Sequence, residues 1–280
     1  MKRVIFVLLV IFLTTALFGC TNNKEEDIPN NGSSNTPSDR YGARVLLMKA
    51  IENLNTIKAS EVVLNIEVFV IENDINTIYN TQIEKKIENP HVNEITEIRG
   101  MVKISTLFKD DRNEITYYLY DGSMCVVTQT ESMCGTIEKM EIFTQKKASD
   151  LFNLELSILP DNLDLLAIDE IEVIENGGNY GLSAIIYDEE DVARTILGKV
   201  NGFSDTVSMA MEAPNFDDLT LDITIDKDFN LRSTKIVSFT NADINDTNVR
   251  YEVVCVLTRS NLEKKAYIKF PDFSTFEDHK

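Results

Sequence analysis

The stretch 219-LTLDITIDKDFNL-231 sets the expectation for the fold. Its apolar residues stand at every second position: Leu219, Leu221, Ile223 and Ile225. This period of two is typical of a β-strand with one buried face. Residues 226–230 have the composition of a turn, and the returning strand is expected over residues 231–239. The stretch therefore predicts an antiparallel β-hairpin.

The turn of this hairpin has one competing interpretation. Asp226, Asp228 and Asn230 have the spacing that begins an EF-hand calcium loop. Such a loop needs glycine at its sixth position and glutamate at its twelfth, where this chain has Leu231 and Val237. A hairpin turn is therefore favoured, and we predict no metal site and no cofactor.

The same period of two recurs on both sides of the hairpin. It predicts strands over residues 62–71, 94–108, 114–120, 124–129, 180–186, 251–258 and 265–270. The pairs Asp121-Gly122 and Gly177-Gly178 are turn signals between such strands. The chain is therefore predicted to be mainly β (α+β), built as an antiparallel meander.

One strong helical segment precedes the strands and ends near Thr56. Val45, Met48, Ile51 and Leu54, with Leu47 beside them, fall on one face at helical spacing. We expect this apolar stripe to pack on the sheet. Ser38 and Asp39 can cap the helix, and weaker helical stretches are predicted over residues 148–153 and 192–202.

The first twenty residues have the features of an export signal. Lys2 and Arg3 precede an uncharged apolar run over residues 4–18, which is shorter than a typical membrane span. Leu17-Phe18-Gly19-Cys20 resembles the lipobox of bacterial lipoproteins, in which the cysteine is diacylated and becomes the N-terminus. We therefore predict a signal peptide over residues 1–19 and lipidation of Cys20, with an uncleaved N-terminal anchor as the alternative.

The segment that follows, residues 20–39, is rich in Asn, Ser and Pro and has few apolar residues. Such a composition predicts a disordered tether, because it cannot bury enough surface to offset its ordering entropy. Membrane attachment through an acylated Cys20 would place the chain on the extracytoplasmic face of the cell membrane.

The order of these elements resembles the LolA/LolB and LppX superfamily. The resemblance rests on the signal and Cys20, the segment Lys49-Ala50-Ile51-Glu52-Asn53-Leu54-Asn55-Thr56-Ile57-Lys58-Ala59 leading into a strand, and an amphipathic meander closed by Phe270-Pro271. It implies a curved, incomplete antiparallel β-barrel with helices packed on its concave face. We expect this half-barrel over residues 40–274, with a tail over residues 275–280.

Charge and motif content exclude several functions. The formal net charge is −19, and removal of Lys2 and Arg3 with the signal would bring it to −21. Such a chain repels phosphate backbones, so a nucleic-acid partner is not expected. The two histidines, His91 and His279, stand in no zinc pattern, and no nucleophile elbow or P-loop is present. We predict that the protein is not an enzyme.

The three cysteines beyond Cys20 have different expected roles. Cys125 and Cys134 flank a predicted turn near Gln129-Thr130, so a disulfide between them is favoured over a free pair. Cys255 alternates with apolar neighbours in a predicted strand and is expected to be a small core residue.

The superfamily resemblance implies a lipid or other apolar ligand held between sheet and helix. The candidate lining residues come from the inward sets of the predicted strands: Leu64, Ile66, Val68, Leu221 and Ile223. The same residues would equally serve as plain core. The alternative function is a structural or protein-interaction envelope lipoprotein without a ligand cavity, and the sequence names no protein partner.

Overall fold

The structure, a computed structural model, describes residues 40–56, 61–73, 75–89, 92, 94–152, 170–186, 215–216, 219–244, 247–262 and 266–278. All of these belong to one unit that covers residues 36–280. The predicted signal peptide (residues 1–19), Cys20, the tether, the helix over residues 192–202 and both histidines lie outside the described residues.

Thirteen strands form one sheet in the part of the chain that the structure describes. They are β1 Glu61–Glu72, β2 Ile75–Ile87, β3 Gly100–Phe108, β4 Asp111–Tyr120, β5 Ser123–Val127, β6 Ser132–Thr136, β7 Glu170–Asn176, β8 Asn179–Ile186, β9 Asn215–Phe216, β10 Leu219–Ile225, β11 Leu231–Ile244, β12 Thr247–Ser260 and β13 Glu277–Asp278. The order across the sheet is β13-β6-β5-β4-β3-β2-β1-β12-β11-β10-β8-β7, with β9 paired to β11.

The sheet is antiparallel except where the two-residue strand β13 pairs in parallel with β6. Within the described residues its outermost strands, β7 and β13, do not pair with each other, so the sheet is not closed into a barrel. The predicted fold class, an incomplete antiparallel meander with few helices, is confirmed. The pairing continues to Asp278, beyond the domain end expected at residue 274.

Strand β1 lies at the centre of the sheet, between β2 and β12, and shows why alternation produces a core. Leu64 pairs with Ile83 on one side and with Leu257 on the other, and all three side chains are fully buried. Burying one such side chain contributes roughly 1.5–3 kcal/mol. The inner face of the sheet is therefore the side that holds the core.

Two hairpin turns follow from residues that adopt positive φ. Asp121 and Gly122 have φ of 48° and 76°, and Gly177 and Gly178 have 60° and 82°. Two successive residues of positive φ make the two-residue turn whose twist matches that of the flanking strands. Both predicted turns are confirmed.

Among the described residues, three helices flank the sheet: α1 Arg40–Thr56, α2 Ile137–Thr144 and α3 Ala148–Phe152. The extents of α1 and α3 agree closely with the prediction, whereas α2 was not predicted. Within the part of the chain that the structure describes, none of the helices is long and apolar enough to span a membrane.

The predicted inward face of α1 is partly wrong, although Leu47 is fully buried and Ile51 packs against the core as expected. Met48 is 53% exposed, whereas Ala43, Leu46, Leu47 and Ala50 are buried. These four follow the i, i+3, i+4, i+7 spacing of one helix face. The two small alanines let the helix lie close to the sheet, which a count of large apolar residues does not reveal.

Two predicted strands also need correction. Residues 95–97 form a 3₁₀ turn, and the strand begins only at Gly100, because the Asn89 side chain accepts a hydrogen bond from the Arg99 amide at 2.7 Å and shapes the turn. Residues 266–270 belong to no strand. Phe270 instead lies against Tyr118 and Tyr120 on the outer face, at ring-centroid distances of 6.0 and 5.1 Å.

The disulfide between Cys125 and Cys134 is present, as predicted. The two residues are directly opposite each other in the β5–β6 pairing, with their Cα atoms 4.2 Å apart. The bridge joins neighbouring strands close to the edge where β13 adds to β6. It therefore fixes the register of that edge of the sheet.

Candidate ligand site on the inner face

The five predicted lining residues lie on the inner face of the sheet, three on β1 and two on β10, with β12 and β11 between them. Each is at most 3% exposed. One row across the sheet contains Ile66, Cys255, Ile236 and Leu221, and the next contains Leu64, Leu257, Thr234 and Ile223. With neighbouring strands roughly 4.8 Å apart, each row spans about 14 Å.

Val68 begins a third row, which continues through Val253 to Ser238. The three rows together make a wide apolar surface that belongs to one contiguous core. The prediction that these residues share a face is thus consistent with the register. Whether a ligand or only the protein itself covers them stays a prediction.

Cys255 lies in the first row and is fully buried. Burial raises the pKa of its thiol to about 12, so the thiolate is not formed near neutral pH. The residue therefore contributes packing to the inner face and is not a nucleophile.

Strand β11 carries a feature of this face that the sequence analysis missed. Between β10 and β11 the register moves from Ile225–Leu231 to Thr224–Ser233, so Arg232 is one extra residue, a β-bulge. A shift of one residue reverses which side chains face inward. Beyond the bulge the inward residues are Thr234, Ile236, Ser238 and Thr240, while Val237 and Phe239 face outward.

Three of those inward residues carry hydroxyl groups. Thr234, Ser238 and Thr240 are each 0% exposed. Within the described part of the chain none of the three hydroxyls has a hydrogen-bond partner. An unsatisfied buried hydroxyl typically costs about 1–3 kcal/mol, so three on one strand require an explanation.

The Asp226 carboxylate organises the turn beside the bulge. Its Oδ1 accepts hydrogen bonds from the amides of Asp228 and Asn230, both at 2.9 Å. Its Oδ2 accepts from the Asn230 side chain at 3.1 Å and from Nε of Arg232 at 2.7 Å. The bulge residue is thus held by the turn. The interpretation of residues 226–230 as a hairpin turn is confirmed.

The same turn holds the C-terminal end of α1. The Asn53 side chain donates to the carbonyl oxygens of Asp228 and Phe229 at 3.0 and 3.2 Å. The Lys49 ammonium lies 4.6 Å from the centroid of the Phe229 ring. These contacts fix the end of α1 against the edge of the inner face.

Asp226→Asn should destabilise the protein by about 1–2 kcal/mol at neutral pH, because the amide cannot accept all of these bonds. Burial opposes ionisation of Asp226, but hydrogen bonds from Asn230, Arg232 and Asp228 hold its pKa below the usual 3.8. The stabilisation is therefore present above that value and is lost as the pH falls through the lower, folded-state pKa. Thermal unfolding of both proteins from pH 7 to pH 3 would show the difference shrinking.

Asp228→Asn is the matched control for this prediction, since Asp228 is in the same turn with an exposed side chain. Its unfolding midpoint should differ little from that of the unchanged protein. An Asp226→Asn variant as stable as the Asp228→Asn variant at pH 7 would contradict the role given to the carboxylate.

Among the described residues, no group of three or more histidine, cysteine, aspartate or glutamate side chains is arranged to hold a metal ion. The inner face therefore offers apolar contact, hydrogen bonding from hydroxyl groups and, in the row that contains Val62, the buried cations Lys85 and Arg259.

Comparisons with known proteins add little to this picture. No protein-family model matches the chain, and no curated protein matches it. A solved structure of a DUF1329 family protein from Desulfovibrio piger aligns with 85% of this chain and 96% of its own, at 13% identity and a TM-score of 0.22. That score is too low to carry an argument about the fold or the function of this chain.

Proposed function

We propose that the protein is a membrane-tethered extracytoplasmic lipoprotein that binds a lipid or other apolar ligand between its sheet and α1, without catalysis. The observation that carries the proposal is the largely apolar inner face, whose rows extend across four strands, together with α1, which contacts β11 and buries Ala43, Leu46, Leu47 and Ala50. Apolar surfaces of this kind, with a few placed polar groups, are typical of lipid-binding sites.

The tether supports the same proposal from the sequence. A lipidated Cys20 followed by a polar segment would hold the domain close to the bilayer, where its ligand is available. The acidic chain would be repelled by anionic headgroups, so capture of a single lipid is favoured over adsorption to a membrane surface.

A second function, a structural or interaction lipoprotein of the envelope, is favoured by one observation. Leu64, Ile66, Val68, Leu221 and Ile223 are at most 3% exposed. A face packed that tightly can serve as core alone, in which case the acidic outer surface would make the functional contacts.

Lipid extraction distinguishes the two functions. The chain from residue 21 onward keeps every described element and would be purified without detergent from a bacterial host. Organic extraction followed by mass spectrometry should find a lipid in stoichiometric amount. A protein that carries none, and that binds no added fluorescent fatty acid, would favour the interaction lipoprotein.

A further inference from the structure

We propose that the hydroxyl row Thr234, Ser238 and Thr240 is a polar subsite for an acyl ester, in which the hydroxyls donate hydrogen bonds to ester carbonyl oxygens buried with the ligand. This inference rests on the proposed function and names the class of its ligand. It begins from three fully buried hydroxyls that have no hydrogen-bond partner within the described residues.

The three hydroxyl residues lie along β11, and their position is not explained by packing alone. Valine at positions 234 and 240 would fill nearly the same volume, and β-branched apolar residues suit a strand as well as threonine does. The bulge at Arg232 turns Val237 and Phe239 outward and these hydroxyls inward, on a face whose other polar residues are Thr81, Lys85 and Arg259 among those described. The hydroxyls are therefore available to a bound molecule that displaces the side chains covering them.

The surroundings explain why the chain itself does not satisfy the hydroxyls. Leu257, Val253 and Tyr251 are their partners on β12, and the main-chain groups of both strands are used in the sheet. Helix α1 contacts β11, and its buried side chains are Ala43, Leu46, Leu47 and Ala50. A helix face of that composition offers no side-chain acceptor.

The chemistry of the row selects among apolar ligands. A pure hydrocarbon would leave the hydroxyls unsatisfied. A buried carboxylate or phosphate would carry a large desolvation cost near Ser238 and Thr240, because the buried cations of this face, Lys85 and Arg259, lie level with Val62 towards the other end of the strands. An uncharged ester carbonyl accepts hydrogen bonds at little desolvation cost. Ser238 and Thr240 are two residues apart, about 7 Å, and Thr234 lies about 13 Å beyond Ser238, so one carbonyl meets one hydroxyl and a ligand that uses all three carries several acyl esters.

Two fluorescent probes of matched size test the subsite: the methyl ester of cis-parinaric acid, which has a carbonyl acceptor, and diphenylhexatriene, which has none. The soluble chain from residue 21 would be compared with its variant carrying Thr234→Val, Ser238→Ala and Thr240→Val. Each lost hydrogen bond typically weakens binding two- to tenfold. Because the ester probe has one carbonyl and loses one hydrogen bond, we expect the variant to bind it about two- to tenfold more weakly and to bind the hydrocarbon with no loss of affinity.

The matched control carries the same chemical changes on the outer face, Thr220→Val, Thr224→Val and Ser233→Ala, and should bind both probes like the unchanged protein. Ester affinity unchanged in the inner-face variant, or an equal loss for both probes, would overturn the subsite while leaving ligand binding intact. Binding of neither probe to the unchanged protein would overturn the proposed function and the subsite together.

The unliganded proteins give a second readout that needs no ligand. Removing unsatisfied hydroxyls should leave the thermal midpoint of the inner-face variant equal to that of the unchanged protein or higher. A clearly lower midpoint would show that the hydroxyls are satisfied within the folded chain, and would overturn the subsite even if a ligand binds.

Discussion

Cys20→Ala is expected to leave the protein without a lipid anchor. The thioether that holds the diacylglycerol forms on the cysteine sulfur, which alanine lacks, and the resemblance of Leu17-Phe18-Gly19-Cys20 to a lipobox identifies no other acceptor. Growth with labelled palmitate should give a labelled unchanged protein and an unlabelled variant. The variant should carry no label at all, because no thioether can form at position 20 without a sulfur atom.

Cys255→Ala is the control for this experiment, since it removes a cysteine that is buried in the sheet. It should retain the label in full. Persistent labelling of the Cys20→Ala variant would refute the lipobox interpretation and, with it, the proposed attachment to the membrane.

Gly100→Ala should destabilise the protein by about 2–3 kcal/mol, the largest effect that we expect from a single added methyl group. A Cβ atom at this position would lie 3.0 Å from two ring atoms of Phe152 and 3.1 Å from the carbonyl oxygen of Lys86. The ring is fully buried and the carbonyl belongs to the neighbouring strand, so neither can move freely. The thermal unfolding midpoint should fall by roughly 4–12 °C.

Gly181→Ala provides the comparison, because it adds the same atom to a strand where the nearest neighbours are 3.8 and 3.9 Å away. It should be neutral or slightly stabilising, since alanine loses less chain entropy on folding than glycine. Adding Phe152→Leu to the Gly100→Ala variant should recover part of the loss. Equal stabilities of the two alanine variants would contradict the close packing of α3 on β3.

The turns and the strong strands could be predicted because their signals are local. Asp121-Gly122 and Gly177-Gly178 adopt positive φ wherever they stand between two strands, and the alternation over residues 219–225 fixes its own inward face. The disulfide was equally local, since a short hairpin places Cys125 opposite Cys134.

The features that were missed depend on distant parts of the chain. The inward face of α1 depends on how closely its alanines allow the helix to approach the sheet. The spacing of its large apolar residues does not reveal this. Strand β2 shows little alternation in its sequence. Which of its residues are covered depends on its two neighbours, β1 and β3. Residues 266–270 alternate apolar and polar or aromatic side chains as a strand would, yet they pair with no strand, and Phe270 lies on the outer face.

The hydroxyl row could not be predicted, for a related reason. Simple alternation over residues 231–240 places Leu231, Val237 and Phe239 on one face, and Thr234, Ser238 and Thr240 on the other. The bulge at Arg232 reverses this assignment after Leu231. The Asp226–Arg232 ion pair across the turn accompanies the bulge. The spacing of these two residues in the sequence does not by itself predict that pair.

The central position of β1 has a consequence for folding under the proposed export. Strands β1 to β6 pair with their neighbours in chain order, but the second edge of β1 has no partner until residues 247–260 arrive, when Glu61 meets Ser260. A chain that crosses the membrane N-terminus first therefore exposes an unpaired apolar strand edge until nearly all of it has emerged. Pairing between strands so far apart in sequence slows folding and leaves the exposed edge open to aggregation. The sheet cannot be completed before the C-terminal half has crossed the membrane.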